Sequence, residues 1–343
     1  MPGLQIFDGS SWKSIGIQDS YWDVMTATSG GSSVSLSWPS AGNSPASYEI
    51  DIDGAITNIG NITSYVPSGL SVGNTYNFKV RPVFSDGSKG GWSLFKTGGP
   101  DGFNRASGGT ETTVSNYNGT GQTWKIHSFS SGSNFVITDS PGPNDFKVLV
   151  VAGGGGGGHN AGDVNKDGGG GGAGGLIYDQ SKSISAGTYP ITVGLGQSGK
   201  GQDSTAFGLT AIGGGAGGSP YPGGSGGSGG GSGNWWGGGS GGAGTAGQGN
   251  NGSAGGNGDS GGKSGGGGGA GGAGGQQSGG AGLSVNITGS SITYATGGWG
   301  GTRNANVPQQ GTDGRGNGGG GQRPGLARSR GGHGIVVVAY RIS

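Results

Sequence analysis

The chain has no cysteine among its 343 residues. Disulfides and thiolate metal sites are excluded, and redox chemistry says nothing about compartment. Charged residues make up 10% and hydrophobic residues 28%, so a single large apolar core cannot form. The formal net charge is only +1, without the like-charge repulsion typical of disordered chains. Apolar runs stop at about six residues, too short to cross a bilayer. The start, Met1-Pro2-Gly3-Leu4, has no basic region leading into an apolar run, so no signal peptide is expected. With 13 prolines and no strict every-third glycine, a collagen helix fails too.

What the chain has instead is glycine, 97 residues, most of them from Gly153 onward. They come as runs at 153–158, 168–172 and 265–269, separated by short polar or aromatic inserts. Such a composition would ordinarily read as a flexible linker, because glycine loses the most entropy on ordering. Two features oppose that. The stretch is far longer than a tether needs, and it is bracketed by the strand-like segments Phe146 to Ala152 and Ile335 to Tyr340. Glycine runs can order as left-handed extended helices of three residues per turn, whose N–H and C=O groups find partners only on neighbouring helices. Lack of side chains allows the close approach, and weak Cα–H···O contacts add to it. Runs of six to eleven residues would span roughly 19–34 Å at about 3.1 Å per residue.

Four regions are expected. Residues 1–23 form an attachment arm, where Phe7, Trp12, Tyr21 and Trp22 sit in a segment too short to bury them. Residues 24–97 carry period-2 strands, with Val34, Leu36 and Trp38 alternating, then Tyr48, Ile50 and Ile52, then Tyr76, Phe78 and Val80. The region 98–152 is a β-rich base, and 153–343 a glycine-rich domain closed by a C-terminal strand. Strands recur among the glycines at 176–178, 189–193, 205–212, 283–287 and 292–295, so the runs leave and re-enter one β-base. The fold class expected is mostly β with little or no α-helix: a sandwich, then a β-base carrying a bundle of polyglycine helices.

The Leu70…Tyr76 spacing, buried Trp38 and the closing Gly91-Trp92-Ser93 make 24–97 resemble a fibronectin type III domain. Val-Leu-Val-Val-Ala before the first run, Tyr189-Pro190-Ile191-Thr192-Val193-Gly194, and the final His333-Gly334-Ile335-Val336-Val337-Val338-Ala339-Tyr340 resemble the glycine-rich domain of bacteriophage tail fibre and adhesin proteins. That resemblance covers roughly the C-terminal half. It implies a virion protein whose partners are other virion proteins and a bacterial surface glycan or outer-membrane receptor. It implies no nucleic acid, no membrane insertion and no cofactor; a homotrimer or several copies per virion would fit that setting. A capsid or tail decoration protein with a purely structural role is the alternative.

Sequence motifs for chemistry are weak. Residues 194–201 match a phosphate loop except that Gly201 stands where a Ser/Thr hydroxyl is needed. Asp163, Asn165 and Asp167 fit the first half of a calcium loop, but Gly174 replaces the closing Glu. His127, His159 and His333 show no metal-ligand spacing, and no nucleophile–base set stands out. An enzyme is not expected. Five arginines between 303 and 330 face one acid, Asp313, so a weak basic patch or merely scattered solubilising charge is expected there.

The inserts between runs carry the large side chains. Counting six runs between Ile212 and Leu283, parity puts Tyr221, Asn250, Asn251, Gln276 and Gln277 at the end away from the strands. It puts Trp235, Trp236 and Asp259 to Ser264 at the strand end. Receptor contact is then expected from His159, Asn160, Asp163, Asn165, Asp167, Tyr221, Asn250, Asn251, Gln276, Gln277, Arg303, Asn304, Asn306 and Arg315.

Overall fold

The computed structural model describes residues 25–42, 44–140, 146–159, 167–219, 221–234, 239–256, 263–301, 309–322 and 327–343, with the backbone of 5–7 and 12–14. Apart from one short 3-10 turn at Tyr117–Gly119, its regular elements are strands. The chain is mostly β. It divides into two compact units, residues 1–105 with 139–142, and residues 106–138 with 143–343.

In the first unit, β1 (Gln5–Phe7) and β2 (Trp12–Ser14) pair antiparallel, with Phe7 opposite Trp12 in register. Tyr21 and Trp22 lie outside the described residues. Seven strands follow: β3 (Thr26–Ser29), β4 (Val34–Ser37), β5 (Ser47–Ile52), β6 (Ala55–Gly60), β7 (Ser64–Tyr65), β8 (Tyr76–Val83) and β9 (Lys96–Gly98). They form a three-stranded sheet, β3-β4-β7, and a four-stranded sheet, β6-β5-β8-β9. Alternation turns Val34, Leu36, Tyr48, Ile50, Phe78 and Val80 inward to one core with Met25 and Trp38. Tyr76 anchors the corner before β8, its hydroxyl accepting the Ser71 N–H at 2.8 Å.

The second unit is built on a five-stranded antiparallel sheet, ordered β11 (Thr110–Val114), β12 (Trp124–Phe129), β21 (Ile335–Arg341), β14 (Phe146–Val151) and β15 (Leu176–Lys182). The two apolar segments that bracket the glycines are thus neighbours, Val150 opposite Val336. Both are buried on both faces, which explains runs of valine rather than alternation with polar residues. Phe146, Val148, Val150, Val336, Val338 and Tyr340 face one core, shared with β13 (Ser133–Asp139) and β16 (Gly187–Ile191). These two strands pair with β10 (Arg105–Ser107) in a three-stranded sheet. Leu149, Val151, Val337 and Ala339 face the opposite core. There they meet Val285 and Tyr294 of the hairpin β19 (Leu283–Val285) and β20 (Ile292–Tyr294). A further hairpin, β17 (Ser204–Ala206) with β18 (Leu209–Ala211), lies on the first core.

From this base the glycine runs form a lattice whose geometry is legible in its hydrogen bonds. In run 168–175, Gly169, Gly172 and Gly175 donate to Gly218, Gly215 and Ile212; Gly170 and Ala173 donate to Gly265 and Gly268; Gly168, Gly171 and Gly174 donate to Gln322, Gly319 and Gly316. Each neighbour is thus met at every third residue, the signature of a threefold helix. The carbonyls of the same run accept from runs 152–158, 228–231 and 298–301. One run therefore has six neighbours, three reached by N–H and three by C=O. Apart from Gly316, the glycines of these runs are absent from the positive-φ set, as the left-handed threefold helix requires. Most described runs are four to eight residues long, shorter than the eleven-residue limit expected from sequence, because some apparent single runs fold back on themselves.

At the crowded positions inside this lattice glycine is demanded by space. A Cβ on Gly171 would lie 2.1 Å from the Gly155 carbonyl oxygen, and one on Gly267 would lie 2.0 Å from that of Gly171. At the rim the rule relaxes. In run 239–244 Ser240 and Ala243 are exposed, and in run 250–256 Asn251 and Ala254, again three residues apart.

Candidate functional site

The lattice has two unlike ends. At the strand end, Ala152 donates to Gly175, Leu176 to Gln248, Gly227 to Gly213, Ala270 to Ala295, and Gly334 to Gly194. Connections here are strands or tight turns. The turn at 245–249 is closed by Gln248 and Gly249 donating to the Thr245 carbonyl. At the far end a second set of contacts links residues that flank the longer inserts. Asn234 donates to the Asp167 carbonyl at 3.1 Å, and the Asp167 N–H returns a bond to Asn234 Oδ1 at 2.7 Å. Ser219 Oγ donates to the His159 carbonyl. Gly301 donates to Gly168, Gly256 to Lys263, and Ser264 Oγ to Gly301.

These contacts correct the run count between Ile212 and Leu283. Eight runs stand where six were expected: 213–218, 223–226, 228–234, 239–244, 250–256, 263–269, 273–276 and 278–282. The extra pairs arise from two turns hidden in unbroken small residues, one near Gly227 and one at 270–272, where Gly269 donates to Gly272. Each hidden turn reverses every later assignment.

Asn250 and Asn251 therefore belong to the strand end, not the far end. Asn250 Nδ2 donates to the Gly269 and Ala270 carbonyls, tying down the second hidden turn, and Asn251 Oδ1 accepts the Gly244 N–H. Arg315, outside that span, also lies at the strand end. Its carbonyl accepts the Ala295 N–H, its guanidinium lies 5.3 Å from the Tyr294 ring centre, and Nη1 donates to the Thr293 carbonyl. The far-end placement of these residues was inferred from parity, and the structure puts them at the strand end instead. Trp235 and Trp236 lie outside the described residues. Lys263 and Ser264, also expected at the strand end, join the far-end network; Asp259 lies outside the described residues.

Other expected residues stay with the far end. Tyr221 is 71% exposed. Gln277 donates to the Ser264 carbonyl and accepts from Gly300, while Gln276 is exposed. His159 is half-buried and Asp167 buried. Asn160, Asp163, Asn165, Arg303, Asn304 and Asn306 lie outside the described residues. So does most of the calcium-like loop; among the described residues no group of His, Asp and Glu gathers as metal ligands would.

The phosphate-loop match is spent on structure. Gly194 donates to Ser204 Oγ, Gly196 to His333 Nδ1, Gln197 to Gly154 and Gly201 to Gly214. Those N–H groups already have partners within the unit. His127 is fully buried beneath Tyr340 and meets the Gly108 carbonyl through Nδ1 at 2.7 Å; burial pushes its pKa down. In the arginine-rich stretch, Arg330 grips Asp313 through both nitrogens at 2.8 and 3.0 Å and holds that carboxyl down at about 2.

Residues 129–341 match the family described as "Glycine-rich domain". The chain belongs to this glycine-rich domain family. The match runs from the end of β12 to the end of β21 and so takes in both bracketing strands and the whole lattice. No curated protein matches the chain. Among solved structures, an alpha-L-rhamnosidase from Dictyoglumus thermophilum aligns at 12% identity and a TM-score of 0.20. The alignment covers 38% of this chain and 19% of that one, so the chain spans about a fifth of its length.

Sequence reasoning missed Asn234 as a lock between two runs. The available signal was a polar residue directly ending a glycine run, with nothing buried elsewhere for it to serve. It also missed Ser264, whose hydroxyl closes the same end.

Proposed function

We propose that the protein is a virion adhesin: residues 1–23 attach it to the particle, and the inserts at the far end of the glycine lattice touch the bacterial surface. The observation that supports this reading is the difference between the two lattice ends. One is closed by strands and tight turns. The residues at the other flank the aromatic, amide and arginine inserts, and Tyr221 there is 71% exposed. A lattice with six-neighbour runs is a stiff platform, and loops on a rigid scaffold are where binding residues concentrate. The fibronectin-like region 24–97 acts as a spacer in this reading. The partner is a surface glycan or an outer-membrane receptor, since exposed aromatics stack on sugar rings and arginines pair with anionic groups.

Adsorption competition with the purified full chain tests the proposal. Free protein should slow phage attachment to the host, and Tyr221→Ala should remove that competition while thermal unfolding stays unchanged. Deleting 1–22 should abolish incorporation into particles yet leave competition by free protein intact. Undiminished attachment at saturating protein, with normal incorporation, would leave only the decoration role.

A further inference from the structure

Inner and outer runs of the lattice differ in where their N–H groups go. Run 228–234 bonds to runs on all sides of it, as run 168–175 does. Runs 239–244, 250–256 and 273–276 lie side by side along one edge and have neighbours on one side only. Their inner rows are fully used: Gly242 donates to Gly230, Gly252 to Gly242, Gly255 to Gly239, and Gly274 to Asn251. Their outer rows hold six exposed residues in pairs three apart, Ser240 with Ala243, Asn251 with Ala254, and Ala273 with Gln276. None of these six N–H groups donates to another group among the described residues.

Each outer row is thus a line of free donors at the threefold spacing. It is the lattice counterpart of an unpaired sheet edge, which templates the pairing of a further chain. The guest that fits it is a glycine run from a second copy, whose carbonyls repeat at the same spacing and whose backbone approaches closely. Yet none of the six positions is glycine. Among the described residues of all the runs, no glycine is exposed.

The inner rows show what a side chain does in such a place. A Cβ on Gly252 would lie 2.1 Å from the Gly230 carbonyl oxygen, and one on Gly274 would lie 2.2 Å from that of Gly266. A Cβ in an outer row would meet the carbonyl of an added run in the same way. Asn251 goes further. Its Oδ1 accepts the Gly244 N–H at 2.9 Å, so a side chain stands where the carbonyl of a further run would otherwise be.

We propose that these rows of side chains seal the lattice edge against glycine runs of a second copy. A backbone whose N–H and C=O groups suit any like run needs such a stop, because sideways addition does not close on itself and yields open-ended assemblies. The inference stands apart from the adhesin reading, since it concerns the flank of the lattice and not its far end.

The test opens the edge in the full chain. One variant carries Asn251→Gly, Ala254→Gly, Ala273→Gly and Gln276→Gly together. A second carries serine at the same four positions, which removes the native side chains but keeps each Cβ. Sedimentation velocity over a concentration series reads size, and amide exchange reads the edge. The glycine variant should form species larger than wild type that grow with concentration. In them the amides of 250–254 and 273–276 should exchange slower by about tenfold or more. The serine variant should keep the size and exchange of wild type. Should the glycine variant fail to fold, as thermal unfolding would show, Ala254→Gly with Ala273→Gly keeps the Asn251 contact and should give the same shift to a smaller degree. Wild-type size for the folded glycine variants at every concentration overturns the proposal. Growth shared equally by the serine variant, or growth without slower exchange at the edge, overturns it too, because a surface other than the free N–H rows would then be joining the copies.

Discussion

The sandwich of the first unit and the glycine lattice of the second solve the same problem with opposite means. In the sandwich, Trp38, Tyr48 and Phe78 bury large side chains between two sheets, and the backbone is paired within each sheet. In the lattice the side chains are nearly gone, and each run bonds outward to as many as six others. Apolar burial is roughly proportional to area and tolerates rearrangement. A backbone lattice has almost no apolar area to offer and depends on many modest bonds made together. It should therefore be far less forgiving of one added atom than the sandwich is of several removed.

The sharpest way to break that comparison is Gly171→Ala. The new Cβ would sit 2.1 Å from the Gly155 carbonyl oxygen, and Gly171 belongs to a six-neighbour run. Overpacking costs about 1–3 kcal/mol and each displaced hydrogen bond about 1 more, so about 5 kcal/mol or more is expected. The second unit should unfold while the first stays folded, as read by domain-resolved hydrogen exchange. Gly199→Ala is the control, because nothing lies within 4 Å of its Cβ position. Equal damage from both would mean that crowding is not what demands glycine. In the sandwich, Phe78→Ala empties a fully buried site and should cost about 3–5 kcal/mol. Its effect should be confined to the first unit; loss of protection in the lattice would show the two are energetically coupled.

How well each region reads from sequence follows from the same difference. Tyr48 and Ile50 alternate with polar neighbours and so announce their strand, as do Phe78 and Val80. Val148 to Val151 and Val336 to Ala339 announce strands buried on both faces. The threefold runs were readable as a class. Their turns were not, because a reversal near Gly227 or at 270–272 uses residues identical to those that continue a run. Glycine adopts either course at similar cost, so nothing local marks the choice. Asn250 and Asn251 were misplaced for that reason; Arg315 lies beyond both turns, and the return of the chain there to the strand end was likewise unmarked. The Phe207-Gly208 hairpin was hidden differently, since phenylalanine is no turn residue and the packing that compensates for it comes from Phe135 and Tyr189, distant in sequence.

Smaller effects probe how the lattice is closed and supported. Asn234→Ala leaves the buried Asp167 N–H without the Oδ1 acceptor at 2.7 Å, a loss of about 1–3 kcal/mol. Amide exchange at 167–170 and 230–234 should quicken while 245–249 stays protected. Quickening at both ends alike would show that the lattice opens as one body. Protonation probes the base. Burial depresses the pKa of His127 below its usual 6.5, so the folded state holds it neutral while the unfolded state takes a proton. Its stabilising contribution is full above about pH 6.5 and declines as pH falls from there toward the folded value. The melting temperature of the second unit should drop between pH 7 and 5, and His127→Gln should flatten that slope.

The smallest expected effect lies at the rim and sharpens the comparison most finely. Ser240 and Ala243, and Asn251 and Ala254, are exposed residues standing three apart. If interior glycines are demanded by space alone, the rim has no use for them, and a side chain there is an advantage. It narrows the conformations open to the unfolded chain without meeting a neighbour. Ala243→Gly and Ala254→Gly should then each lower the stability of the second unit by about 0.4–1 kcal/mol, through the unfolded state. The pair should act additively, since exposed sites without shared partners rarely couple. Differential calorimetry of the two single variants and the double would read this as small, summing shifts. A loss well beyond that range would mean these methyl groups pack against something, and the division into a crowded interior and a free rim would have to be redrawn.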